Sequence, residues 1–241
     1  MSISITPLFI AFVTTFIALN IFRPFAISIN LVDEPSNRKM HNGSVPLIGG
    51  IAMYFGMIVA ILTSSLDVNL YSYFIVSSLI LIVVGVLDDH HNISVWMRFL
   101  CQAIAALIAV TIANVSVESF GNLLGRGEIE LHSWQIVISV IAIVTAINAV
   151  NMADGIHGLA GGNSLITFLS IIYLCIYSGN TEYLYLAMLF CAVLPAFLIE
   201  NLCIFRPEIK RVFMGDAGSM LLGLGISWLL IYLSQGEGKV F

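Results

Sequence analysis

The sequence predicts an all-α, polytopic membrane protein with about eight transmembrane helices. Of its 241 residues, 59% are hydrophobic and only 10% are charged, and the mean hydropathy is +1.02. A soluble domain has about 25% charged residues. The apolar runs are close to the roughly 20 residues that a helix needs to cross a bilayer, and they lack the alternation of membrane barrel strands. We therefore interpret 1–241 as a single integral membrane domain.

Basic residues orient the predicted spans. Seven of the nine Lys and Arg residues follow odd-numbered spans, and only Arg126 and Lys239 lie on the other side. The positive-inside rule then places the amino terminus outside and the loops after odd-numbered spans in the cytoplasm. Nothing in the sequence indicates a nucleic-acid surface. The predicted spans are 5–22, 46–64, 71–87, 97–113, 134–150, 163–178, 183–199 and 216–233.

The first inner loop, 32–50, combines basic side chains with glycine. Lys39 and His41 precede the pair Gly49 and Gly50. Positive side chains beside exposed glycine backbone can hold phosphate oxygens. An ordinary basic inner loop that obeys the positive-inside rule is the alternative.

The second inner loop carries two adjacent carboxylates, Asp88 and Asp89, followed by two histidines and by Asn92 and Arg98. Adjacent carboxylates repel each other, which raises the pKa of one of them unless a cation lies nearby. Such a pair can share a metal ion, or one member can orient or deprotonate a nucleophile. A helix cap needs only one acid, and acids at the edge of a membrane span are usually functional.

The outer connection Asn114–Ser133 is longer than the others. Its glycines and the alternation in Glu128–Leu131 predict a small hairpin outside the membrane. The other outer connections are short, so polar chemistry is concentrated on the inner side.

The third inner loop contains the strongest polar pattern of the chain. Asn148, Asn151 and Asp154 recur on one helical face at the end of a span. The glycine-rich stretch that follows contains His157 and permits close backbone approach. Amide and carboxylate oxygens are ligands suited to Mg²⁺. Packing of polar and small residues between helices is the alternative.

The fourth inner loop ends at Asp216, at the start of the last span. An acid there lies near the positive end of a helix, where it can bind a cation or serve as the N-cap. Arg206, earlier in the loop, either attracts an anionic substrate or only enforces the topology.

Four strings of the chain resemble one enzyme family: Val45–Gly50, Leu87–Ser94, Asn148–Gly155 and Met214–Ser219. They are similar, in order and in topology, to the polyprenyl-phosphate N-acetylhexosamine-1-phosphate transferases. The string Phe213–Ser219 looks most like the bacterial undecaprenyl-phosphate GlcNAc-1-phosphate transferases, and the phospho-N-acetylmuramoyl-pentapeptide transferases are more distant.

The resemblance implies a membrane enzyme of the bacterial inner (cytoplasmic) membrane. The implied reaction joins a UDP-N-acetylhexosamine, with GlcNAc the expected sugar, to undecaprenyl phosphate and releases UMP. It would be the first membrane step of cell-surface polysaccharide synthesis, for example of O-antigen or cell wall polymers. Mg²⁺ is the implied cofactor, with Mn²⁺ as a substitute, and a homodimer is compatible with the resemblance.

The resemblance also implies roles for individual residues. Asp88, Asp89 and Asp154 are expected to be catalytic, and Asp216 and Asn151 to be metal ligands. The expected substrate-binding residues are Lys39, His41, Asn92, Arg98, Asn148, His157 and Arg206.

The chain departs from the family pattern at two places. Position 157 is His where many bacterial relatives have a second Asp, and the chain ends at Phe241, without the later cytoplasmic loop and its H-x-H-H-like motif. This leaves open an incomplete or non-catalytic member of the family. An ion-coupled transporter is the remaining alternative. The clustering of the acids at one interface, rather than at mid-membrane, argues against it.

Overall fold

The computed structural model describes residues 4–34, 43–64, 66–205 and 211–235. In these residues the chain is mostly helical, which confirms the all-α prediction. The eight α-helices are α1 (Thr6–Ser28), α2 (Gly49–Thr63), α3 (Val68–His91), α4 (Val95–Thr111), α5 (Gln135–Ala153), α6 (Leu159–Ser178), α7 (Leu184–Asn201) and α8 (Gly215–Ser234), with a short 3-10 helix at His132–Trp134 before α5.

Six of these helices are long and apolar enough to cross a membrane: α1, α3, α5, α6, α7 and α8. The other two, α2 and α4, have 15 and 17 residues. At 1.5 Å per residue they extend only about 23 and 26 Å, and they are the two shortest of the eight helices. The structure therefore supports a multi-pass membrane protein with six spans by length and composition, and two shorter apolar helices.

Helix α8 forms the centre of the bundle. In its most apolar stretch 78% of the residues are buried, against 17% for the stretch that contains α5. Small residues permit this central position, because a side chain at Gly50 would collide with the backbone of Gly218. Gly49 and Gly50 therefore do not expose the backbone that a phosphate contact in the first inner loop would need. Both are buried, and their N–H groups donate to the carbonyl oxygens of Phe213 and Met214 at 3.0 and 2.9 Å.

The outer connection between α4 and α5 folds back on itself, as predicted. Ser119 and Glu130 form an isolated antiparallel bridge, and the N–H of Phe120 donates to the carbonyl oxygen of Ile129 at 3.0 Å. Gln235 anchors this hairpin to the end of α8, because its Oε1 accepts hydrogen bonds from the N–H groups of residues 118 and 119 at 2.9 and 3.2 Å.

A small β structure links the first and fourth inner loops. Strands β1 (Val32–Asp33) and β2 (Val45–Pro46) pair antiparallel, and Leu47 forms a parallel bridge with Phe213. The loops after odd-numbered spans thus meet at one end of the bundle, as the topology predicted. Which side of the membrane this end faces stays a prediction.

Candidate active site

An open pocket of about 740 Å³ lies at the end of the bundle where these loops meet. Five aspartate side chains and one guanidinium line it, so acidic groups outnumber basic ones. The lining residues are Val32, Asp33, Leu47, Asp88, Asp89, Asn92, Arg98, Asn151, Asp154, Gly155, Ile156, His157, Asn201, Phe213, Met214, Gly215 and Asp216.

Asp216 lies at the centre of the polar contacts in this pocket. The Asn151 Nδ2 group donates to Asp216 Oδ1 at 2.7 Å and to Ser219 Oγ at 2.9 Å. On the other side, Arg98 Nη1 lies 3.7 Å from Asp216 Oδ2. Asp216 is in the first turn of α8 but is not its N-cap, because the helix begins at Gly215. Side chains from α4 and α5 therefore converge on one carboxylate of α8.

The adjacent acids Asp88 and Asp89 make different contacts. Asp88 is nearly buried, with 8% of its side chain exposed, and its Oδ2 accepts a hydrogen bond from Arg98 Nη1 at 2.8 Å. Asp89 accepts the backbone N–H of Asp216 at 3.1 and 3.0 Å. The first N–H groups of a helix have no partner within it, so Asp89 caps α8 from another helix.

Gly215 makes this capping contact sterically feasible. Its φ of +71° belongs to the left-handed region that favours glycine. A Cβ at this position would lie 2.5 Å from Asp89 Oδ2, closer than van der Waals contact. A side chain at position 215 would therefore displace the carboxylate that caps α8.

Asp154 and His157 form a wall of the pocket, at and after the end of α5. Burial, and to a lesser degree the charge of Asp216, raise the pKa of Asp154 to about 7. The His157 ring stacks on Phe213, with ring centroids 5.1 Å apart and an angle of 28° between the planes. This wall thus combines a carboxyl group with a pair of stacked rings.

Of the remaining predicted site residues, one lines the pocket, one does not, and three lie outside the described residues. Asn92 lines the pocket and ends α3 in a left-handed conformation with φ 50°, its N–H donating to the Asp88 carbonyl oxygen at 2.8 Å. Asn148 is not among the lining residues, and its Nδ2 donates to Gln102 Oε1 at 2.7 Å. Three predicted substrate-binding residues, Lys39, His41 and Arg206, lie outside the described residues.

The pocket also contains residues that the sequence analysis did not single out. Asp33 belongs to the first inner loop, and Phe213 precedes the Met-Gly-Asp string. Asn201, 4% exposed, donates its Nδ2 to the carbonyl oxygen of Val212 at 2.8 Å and so holds the fourth loop against α7. The sequence offered one signal for Asn201, because it is a polar residue at the end of an apolar run.

The donor atoms of the pocket fit Mg²⁺. Carboxylate and amide oxygens are the hard ligands that this ion prefers, and it is commonly held by one or two carboxylates together with water and substrate phosphates. Among the described residues, no three His, Cys, Asp or Glu side chains are arranged to hold a metal ion by themselves. This arrangement is consistent with a site in which the protein supplies some of the metal ligands and the substrate supplies the others.

Comparisons with known proteins agree on one family. The sequence model of glycosyl transferase family 4 matches residues 70–234. An undecaprenyl-phosphate alpha-N-acetylglucosaminyl 1-phosphate transferase of Yersinia pestis is 35% identical over 232 residues, which cover 96% of this chain and 63% of the relative. The protein of the same name from Haemophilus influenzae is 38% identical over 233 residues, 96% of this chain and 65% of the relative. The chain thus spans less than two thirds of the length of these relatives.

Proposed function

Because the chain belongs to glycosyl transferase family 4, we propose that it transfers N-acetylglucosamine 1-phosphate from UDP-GlcNAc to undecaprenyl phosphate and releases UMP. Relatives at 35–38% identity carry the name of an undecaprenyl-phosphate N-acetylglucosaminyl 1-phosphate transferase. The observation that carries the proposal is the acidic pocket at the end of the membrane-spanning bundle. A lipid phosphate from the bilayer and a nucleotide from water can both reach such a position, which would face the cytoplasm of a bacterial cell.

A divalent cation is part of the proposal because both substrates are anionic. Five carboxylates and a single Arg98 line the pocket, so two phosphorylated molecules would meet strong repulsion without one. Asp216 would hold Mg²⁺, or Mn²⁺ in its place. The Asn151 amide nitrogen is already used by Asp216 and Ser219, which leaves its Oδ1 as the second ligand atom. The bound ion would offset the charge on the sugar-bearing diphosphate and on the departing UMP.

Asp88 and Arg98 are proposed to contact the lipid phosphate. In this proposal an oxygen of the lipid phosphate attacks the phosphorus that bears the sugar, and the bond from that phosphorus to UMP breaks. Asp88 orients the attacking phosphate and accepts its proton, and Arg98 contacts phosphate oxygens. Asp89 acts through the start of α8, because its carboxylate holds the backbone of Asp216.

The wall formed by Asp154 and His157 is proposed to hold the nucleotide. Asp154 and His157 supply hydrogen-bonding groups for the uridine, and the stacked rings of His157, which is exposed, and Phe213, which is half-buried, are proposed as the surface on which the base stacks. Asn92 is proposed to contact phosphate. Lys39, His41 and Arg206 would add positive charge from loop segments outside the described residues.

Radiolabel transfer from UDP-GlcNAc into undecaprenyl lipid tests this proposal. The purified chain should form labelled lipid only with Mg²⁺, and Asp216→Ala and Asp88→Ala should reduce the product to background while still inserting into membranes. Asp67→Ala is the matched control, because Asp67 caps α3 at the opposite end of the bundle. Near-normal transfer by Asp216→Ala would contradict the assignment. So would absence of product under conditions in which the Yersinia pestis relative is active.

A further inference from the structure

A pair of amide side chains, with Gln102 buried and Asn148 half-buried, joins α4 to α5 below the pocket. Gln102 of α4 is 0% exposed, and its Oε1 accepts a hydrogen bond from Asn148 Nδ2 at 2.7 Å. The same Nδ2 group lies 2.8 Å from the carbonyl oxygen of Val144, one turn earlier in α5. Neither amide is among the residues that line the pocket. The pair is thus a polar contact inside the apolar part of the bundle.

Stability alone does not account for this pair. Within the described residues, the Gln102 Nε2 group has no hydrogen-bond partner. A buried amide donor without a partner is unfavourable, and a half-satisfied polar pair is less favourable than an apolar contact of the same shape. The next turns of α4 bury only apolar side chains, among them Ala105, Ala106 and Ala109. Packing against neighbouring helices therefore does not require an amide at position 102.

The pair lies directly below the two side chains that reach Asp216. Arg98 is four residues from Gln102 on α4, and Asn151 is three residues from Asn148 on α5, so each pair shares a helix face. Arg98 Nη1 and Asn151 Nδ2 lie 3.7 and 2.7 Å from the two carboxylate oxygens of Asp216.

The position of Arg98 depends on how α4 is held by its neighbours. Helix α4 packs mainly on α3 and α5 and only slightly on α8, which carries Asp216. Rotation of α4 relative to α5 would therefore move Arg98 away from that carboxylate. The hydrogen bond that joins α4 to α8, from Trp228 Nε1 to the carbonyl oxygen of Ala109 at 3.0 Å, lies about three turns further along α4. A directional hydrogen bond between α4 and α5 opposes such a rotation in a way that apolar contacts do not.

We propose that Gln102 and Asn148 are positioning residues for the cation site. Their hydrogen bond fixes the rotation of α4 against α5, so that Arg98 and Asn151 hold the Asp216 carboxylate in the orientation that binds the cation. This inference rests on the proposed function, and it replaces the predicted substrate contact of Asn148 with an indirect role.

Binding of Mn²⁺, measured by electron paramagnetic resonance on the purified chain without substrate, tests the inference apart from turnover. Gln102→Leu should raise the Mn²⁺ dissociation constant by about 10- to 100-fold, the usual effect of losing a group that orients a metal ligand. Its thermal stability should be unchanged or higher, because the unpartnered donor is removed. The exchanged pair Gln102→Asn with Asn148→Gln keeps the combined side-chain length and should recover most of the affinity.

Ser227→Ala is the matched control, because among the described residues this buried hydroxyl of α8 donates to carbonyl oxygens of its own helix, at 2.7 and 3.2 Å. It should leave Mn²⁺ binding unchanged. Unaltered Mn²⁺ affinity in Gln102→Leu would overturn the inference, as would a loss of affinity that merely follows a loss of thermal stability. Absence of Mn²⁺ binding in the unsubstituted chain would instead overturn the cation site itself, and the inference with it.

Discussion

Asp88 and Asp89 are neighbours in sequence with different partners. Asp89 accepts the backbone N–H of Asp216, a contact that the Oδ1 of an asparagine can also make. Asp89→Ala should therefore destabilise the start of α8 by about 1 kcal/mol, the usual effect of losing a helix cap, and Asp89→Asn by clearly less. Thermal unfolding of both variants in detergent without divalent cations measures the difference. Equal destabilisation by the two substitutions would show that the cap is not what Asp89 contributes.

Asp154 gives the molecule a pH dependence with a definite sign. Burial and the charge of Asp216 raise its pKa from 3.8 to about 7, so the fold favours the protonated form. This contribution to stability is fully present below about pH 4 and is lost as the pH rises through about 7. Asp154→Asn mimics the protonated form. It should therefore unfold at a higher temperature than the parent chain at about pH 8, by about 2–4 °C for each kcal/mol of this contribution. The difference should shrink toward about pH 5.

Thermal scans at several pH values, without divalent cations, test the Asp154 prediction. Added Mg²⁺ should narrow the gap at high pH, because a cation beside Asp216 favours ionised Asp154. A gap that stays constant across the pH range would mean that the carboxyl group titrates normally in the fold.

Sequence reasoning located the acids of the site but not all their partners. Apolar runs and basic loops sufficed to place Asp88, Asp154 and Asp216 at one end of the bundle, because topology follows from hydropathy and charge. The capping of α8 by Asp89 joins residues 127 positions apart, and no local pattern encodes such a contact. The stacking of Phe213 on His157 was missed for the same reason.

Individual helices are packed through small residues, and α8 shows this most clearly. A Cβ at Gly50 would collide with the Gly218 backbone, which has no flexible end to move aside. Gly50→Ala should therefore destabilise the bundle by about 1–3 kcal/mol, the usual effect of overpacking a core. Gly162→Ala is the control, because nothing lies within 4 Å of a Cβ there. Chemical denaturation in detergent should separate the two variants, and equal stability would refute the close α2–α8 contact.

The ends and lengths of the helices were predicted less well than their existence. The span predicted at 71–87 is part of α3, which runs from Val68 to His91. The helix continues through the acids and histidines, because their polar side chains leave the backbone hydrogen bonds of the helix intact. It ends at Asn92, which adopts a left-handed conformation. The two-residue strands β1 and β2 were not predicted at all, since they depend on pairing across the first loop.

At the scale of the whole molecule, hydropathy could not tell which helix is central. Both lipid and the bundle interior are apolar, so α5 and α8 are both predicted as spans although 17% and 78% of their most apolar stretches are buried. The glycines of α8 were the available signal, because small residues mark close helix contacts in membranes. The sequence analysis interpreted these residues only near the loops.

Orientation in the membrane is the property of the whole molecule that most directly decides the proposed function, because a nucleotide sugar is made in the cytoplasm. The positive-inside rule predicts that the pocket faces inward. Ile156, 67% exposed in the α5–α6 loop, and Leu124, 73% exposed in the outer hairpin, lie at opposite ends. Each can be replaced by Cys in a chain whose native cysteines, Cys101, Cys175, Cys191 and Cys203, are changed to Ala. A charged, impermeant thiol reagent added to intact cells should label Leu124→Cys at once and Ile156→Cys only after permeabilisation. The reverse pattern would place the pocket outside and rule out a cytoplasmic nucleotide sugar as its donor.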